Sequence, residues 1–201
     1  MRRQPRQQRS RDMVTLLLDA AEQEIGVRGL ANTTTNHVAA RAGVSIGSLY
    51  QYFQDQRAIV DAIQHRNVAR LITTLDERLR SLDEATEPRV LIQVVLEAVF
   101  DAFEKSTVQR ELLRDWQSLR RNPAFVALDR HVTEVCRRYL VRHHDQYKVD
   151  NLTVALFVGV SSVQYTVAHY LSLADPPLSR DEVIGGLVDM LAAYLGLSRR
   201  V

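Results

Sequence analysis

The 201-residue chain is predicted to be all-α. Apolar residues recur at three- and four-residue spacing through most of its length. No stretch alternates apolar and polar residues far enough to make a strand. Thr, Ser, Asp, Gly and Pro stand where the periodic runs begin or stop, as helix caps do. Asp12 to Arg28 reads as a first helix, with Val14, Leu17, Leu18, Ala21 and Ile25 on one stripe and Gly29 as its stop. Thr34 is placed to cap a second helix, whose Val38, Ala39 and Ala42 make a small apolar face before Gly43 ends it. Ser45 then caps a third, in which Ile46, Leu49 and Phe53 share a face. Asp55 opens a long helix with Ile59, Ile63, Val68, Leu71 and Leu75 in one row, running toward Leu82. The break falls at Glu84 to Pro88. Further helices are expected from near Arg89 to Ala102, and over Ser106–Arg121, Ala124–His143, Leu152–Leu173 and Arg180–Leu195.

Thr34 to Phe53 is therefore two short helices on a tight turn, a helix-turn-helix, whose second helix can enter a DNA major groove. Ser48, Tyr50, Gln51 and Tyr52 carry the hydroxyl and amide groups that bind phosphates and base edges. Ile46 and Gly47, small or apolar at the helix tip beside Ser45, can approach a thymine methyl. Thr34 and Thr35 stand at the start of the second helix, where free N–H groups favour a phosphate, and Asn36 can reach a base edge. Gln56 and Arg57, in the first turn of the long helix, complete the candidate DNA contacts. The alternative for Tyr50 and Tyr52 is an ordinary half-buried aromatic with a wet hydroxyl. Residues 1–10 form a basic arm expected to be flexible; the first eleven residues hold five Arg and no acid. Such an arm either enters the minor groove or is a solvated tail.

Leu18 to Gly29 (LDAAEQEIGVRG), Thr33 to Ser45 (TTTNHVAARAGVS) and Gly47 to Phe53 (GSLYQYF) resemble the N-terminal domain of TetR-family transcriptional regulators. The resemblance covers roughly residues 11–71. It implies a three-helix DNA-binding domain over 11–71, with its motif at 34–53, joined by the long helix to a helical effector-binding and dimerisation domain over 72–201. It also implies a homodimer on a palindromic operator, and a linking helix that moves when ligand binds the body. Glu24 stands where the family usually has an apolar residue and Ile25 where it usually has Phe. Ile46 and Gln56 occupy positions where Lys is common, so two familiar backbone-contact charges are absent.

The body carries weaker signals. Phe100, Phe103, Trp116, Phe125, Tyr139, Phe157, Gln164, Tyr165 and His169 form a candidate effector pocket, the alternative being plain core packing. The last two helices are apolar on more than one face and so need cover on two sides. Val160, Val163, Val167, Val183, Leu187, Leu191 and Tyr194 are the residues expected to meet a second copy. In the resemblance, the same two helices form a four-helix interface.

Bulk properties set the outer limits. Residues 1–80 hold 12 Lys+Arg against 8 Asp+Glu, and residues 81–201 hold 14 against 16. A mildly basic head on a mildly acidic body suits double-stranded DNA as the head's partner. The single cysteine, Cys136, excludes an internal disulfide and fits a reducing compartment. No run approaches a membrane span, Leu152–Val163 being the most apolar, and the Arg-rich N-terminus lacks a secretion signal's apolar segment. A cytoplasmic protein without a membrane partner is expected. His131, His143, His144 and Asp145 match no zinc spacing, and no phosphate loop or ordered acid–base pair occurs, so no catalytic residue, metal or cofactor is expected. Two other classes compete: a constitutive DNA-binding regulator without effector, and a helical enzyme keeping the head as a relic.

Overall fold

The computed structural model describes residues 6–83, 86–113, 116–143, 149–173 and 175–197. These form helices and their connections, with no strand among the described residues. The head comprises α1 (Arg6–Arg28), α2 (Thr35–Ala42), α3 (Ile46–Tyr50) and the start of α4 (Gln56–Arg80). The body holds α5 (Pro88–Glu104), α6 (Thr107–Leu113), α7 (Trp116–Arg121), α8 (Pro123–Arg142), α9 (Leu152–Ser172) and α10 (Arg180–Tyr194).

α1 starts at Arg6 rather than Asp12, so residues 6–10 of the expected arm are helical; residues 1–5 lie outside the described residues. Arg and Gln are good helix formers, and Gln8 Nε2 donates to Asp12 Oδ1 at 2.8 Å one turn on. The caps fall where the sequence put them. Thr34 Oγ1 accepts the His37 N–H at 3.3 Å, and His37 Nδ1 accepts the Thr34 N–H at 3.4 Å. Gly43 ends α2 at φ +67°, a left-handed conformation that costs other residues about 1–2 kcal/mol. Ser45 Oγ accepts the Ser48 N–H at 3.1 Å, and Asp55 Oδ1 accepts the Ala58 N–H at 2.7 Å. α3 stops at Tyr50, short of the expected Phe53: the N–H groups of Tyr52 and Phe53 both turn onto the Leu49 carbonyl. Leu49 and Phe53 drop into a head core with Leu17, Ile25, Val38 and Ile59, while Ile46 faces outward.

Glu24, the family-atypical acid, is buried and paired. Arg28 Nε lies 2.6 Å from Oε2, and Arg41 of α2 holds Oε1, so one carboxylate ties α1 to α2. Arg41, then Arg28, holds its carboxyl below the usual carboxylate range. A carboxyl lowered on folding adds stability that is complete above its unfolded pKa, about 4.3, and is lost as pH falls through its folded value. Glu24→Gln is therefore expected to lower the melting temperature at neutral pH and to flatten its fall below about pH 4. Melting curves across pH check both; an unchanged acid limb would reject the pairing.

The body encloses two principal cores. One joins Val68, Leu71 and Leu75 of α4 to Phe103, Leu113, Phe125 and Leu128; the other joins Leu96 and Phe100 of α5 to Val167 and to Ile184, Leu187 and Val188 of α10. Between them Asp101 takes Arg78 of α4 at 2.8 Å and Arg180 of α10 at 2.7 Å, and Arg180 also reaches Glu104 at 2.9 Å. The stretch expected as one helix over Ser106–Arg121 is instead described as α6 and α7, on either side of residues 114 and 115, which lie outside the described residues. α6 serves both parts. Val108 enters the head core, Leu113 the body core, and Glu111 Oε2 accepts the Leu30 N–H at 2.9 Å.

α9 corrects one expectation. At 21 residues without Asp, Glu, Lys or Arg it is long and apolar enough, by length and composition, to cross a membrane. It packs instead against α6, α8, α10 and α5. Only 28% of its most apolar window is buried, so much of an apolar helix lacks cover in a single chain.

Candidate nucleic-acid interface and body cavity

The turn at Gly43 sets α3 beside the N-terminal end of α2, bringing Tyr50 OH within 3.2 Å of Thr35 Oγ1. Thr34, Asn36, Ser45, Ile46, Gly47, Gln51 and Arg57 are exposed on this side; Thr35 and Ser48 are half-buried. Tyr50 is 52% exposed while Leu49 beside it is 0% exposed, so the outward face rests directly on the core. The surface offers hydroxyls, the carboxamides of Asn36 and Gln51, and the Arg57 guanidinium. Groups of these kinds can contact phosphates and read base edges without requiring a buried charge. The Ser45 and Ser48 hydroxyls lie 2.8 Å apart, which fixes their directions in advance.

Two of the expected contacts are turned to other work. Gln56 Nε2 donates to the Leu30 carbonyl at 2.9 Å, so that amide braces the α1–α2 turn and does not reach outward. Tyr52 packs its ring on the head core, the ordinary aromatic role left open for it. Both follow from α3 ending at Tyr50, which swings the next residues back under the head.

The body holds a cavity of about 170 Å³ between α5, α8, α9 and α10. Phe103, Phe125, Tyr139 and Gln164 of the expected set line it. Gln164 is oriented from outside: its Nε2 donates to Asp129 Oδ1 at 2.6 Å. The other expected residues lie elsewhere. Phe100 is sealed in the neighbouring core with its ring 5.5 Å from that of Tyr170. Phe157 and Tyr165 are 73% and 63% exposed on the far side of α9, where His169 stacks on Tyr165 at 6.1 Å. Trp116 opens α7, and its side chain lies outside the described residues. Val95, Leu128, Val132 and Leu156 were missed, since apolar wall residues look like core in a sequence. Cys136 also lines the cavity, where burial pushes its thiol up to about 11. A second, wider cleft of about 600 Å³ lies between α1, α4 and α5, but its Arg78 is committed to Asp101 and its Asp19 to Arg66.

Most of the expected self-association residues are covered, wholly or in part, within the single chain. Val167, Val183 and Leu187 are buried in their own chain, Val163 packs on the same core and lines the cavity, and Val160 and Leu191 are cavity wall. Of that set only Tyr194 points outward. The bare apolar row is Val154, Phe157, Val158 and Tyr165 on α9, with Met190 and Tyr194 on α10. At about 3.6 residues per turn these α9 positions lie on the side opposite Leu156, Gly159, Val163 and Val167. Beside the row Gly185 and Gly186 are open, so another backbone can approach.

The profile of the bacterial regulatory proteins of the tetR family matches residues 17–63, from the first buried turn of α1 into α4. The chain is 27% identical over 184 residues to the HTH-type transcriptional activator FasR of Mycolicibacterium smegmatis, covering 90% of this chain and 81% of that protein. It is 34% identical over 108 residues to the HTH-type transcriptional regulator BetI of Paraburkholderia xenovorans, a match spanning 53% of this chain and about half (54%) of that relative. In structure it is similar to a TetR-family transcriptional regulator from Streptomyces coelicolor, with a TM-score of 0.69 at 27% identity over 93% of this chain and 97% of the other.

Proposed function

We propose, from the premise that the chain belongs to the TetR family of transcriptional regulators, that it is a homodimeric repressor. Two heads occupy a palindromic operator, and a small apolar or amphipathic effector in the body cavity releases them. The observation that carries the reading is the outward polar face of α3 and the N-terminal end of α2, with Tyr50 held on a rigid core. A two-fold symmetric dimer matches a palindrome half-site by half-site. The bare row on α9 and α10 is the face proposed for the second copy, in place of the buried residues first expected. An effector shifts the balance only by its unequal affinity for the bound and released arrangements. α4 and α6, each with one end in the head core and the other in the body core, are the elements through which the two are coupled.

The test begins with genomic fragments selected by the purified protein. Tyr50→Ala and Gln51→Ala are expected to leave the dimer intact and to weaken operator binding by about 1–3 kcal/mol for each lost base contact. Arg57→Ala should weaken operator and unrelated DNA alike and reduce the slope of affinity against salt by about one. Fluorescence anisotropy measures all three. Parent-like binding by both α3-side variants would reject this face.

A further inference from the structure

The cavity wall narrows the kind of molecule that fits, on the reading that the body responds to a ligand. Its lining follows α5 from Pro88 to Phe103, α8 from Phe125 to Leu140 and α9 from Ala155 to Ala168. At 1.5 Å rise per residue, each run is on the order of 20 Å long. The lining residues thus follow an elongated course along three helices, which suits an extended molecule better than a compact ring. The cavity's chemistry is equally one-sided. No Asp, Glu, Lys, Arg or His lines it among the described residues; the polar side chains are those of Gln164, Tyr139 and Cys136. A carboxylate or ammonium brought there would lose its water without gaining a counter-ion, a penalty of several kcal/mol. Gln164 has its N–H side engaged by Asp129, which leaves its carbonyl oxygen as an acceptor for a hydroxyl or amide donor.

We propose that this cavity takes a linear, uncharged aliphatic chain bearing a neutral hydrogen-bond donor, the class of long-chain alcohols and primary amides. The extended form lies along α5 and α9, with its donor at Gln164.

The full-length protein is titrated with dodecanol, dodecanoate, dodecyltrimethylammonium and adamantanol. Binding is read by native mass spectrometry and release by anisotropy of labelled operator. Dodecanol is expected to bind at least about tenfold more tightly than either charged chain or the compact ring. Val132→Phe, which narrows the cavity, is expected to abolish dodecanol binding while leaving DNA binding intact; if that variant does not fold, the four ligands on the parent protein decide. Equal or tighter binding by a charged chain or by adamantanol overturns the ligand class and leaves the effector reading standing. Dodecanol that binds without releasing DNA upholds the class and overturns the release mechanism. No binding by any of the four overturns this proposal and, if a wider library also fails to release DNA, the effector reading with it.

Discussion

Phe157→Arg is expected to leave a folded monomer that binds operator roughly a hundredfold or more weakly than the parent. The side chain is 73% exposed and touches neither body core nor cavity, so the change should spare the fold. A large aromatic at the middle of a bare apolar row is the kind of side chain that anchors an interface, and a guanidinium there would be buried facing its own symmetry mate. One head alone engages one half-site and loses the gain in effective concentration that a linked second head supplies. Sedimentation gives the mass, circular dichroism the helix content, and anisotropy the affinity. A variant that stays dimeric would move the contact off α9. A monomer that binds as tightly as the parent would remove the need for two heads.

Phe100→Ala is expected to cost about 3–5 kcal/mol of stability, the range for truncating a fully enclosed aromatic. The ring is 0% exposed, stands at 59° to that of Tyr170 and lies 5.7 Å from the Arg180 guanidinium carbon. Removing it opens a void in the α5–α9–α10 core and takes away the face on which Arg180 rests while it bridges Asp101 and Glu104. The midpoint of urea unfolding should fall with little change in slope. A loss below about 1 kcal/mol would mean that the neighbours collapse into the space, which close packing resists.

What could be read from the sequence was what is decided locally. Thr34, Gly43, Ser45 and Asp55 each terminate or start a helix by a bond to a residue no more than four positions away, and all four stand where they were expected. The exposure of Tyr50 followed from the same local spacing. Where the outcome depended on partners distant in the chain, the reading failed. Gln56 looked like a free polar group until Leu30 came within reach, and Val108 looked like one more residue of a body helix until it met the head. α9 failed for another reason: it is apolar all round, so periodicity could not say which side faces inward. Packing leaves Phe157 and Tyr165, expected in the cavity, on the exposed side, and places Val160 and Val163 on the cavity wall. The arm was cut too long because charge suggests a solvated tail, whereas Arg and Gln are also good helix formers.

A single backbone rod separates the cavity from the outer wall of the body, since Val160 and Gly159 line the first while Phe157 and Val158 stand on the second. Whatever distends one side presses on the other. Under the proposed reading, occupancy and pairing belong to one thermodynamic cycle, in which a guest that loosens the pair is itself held more tightly by the separated halves. Any apparent binding constant for such a protein, guest or DNA, is meaningful only beside the subunit concentration at which it was taken.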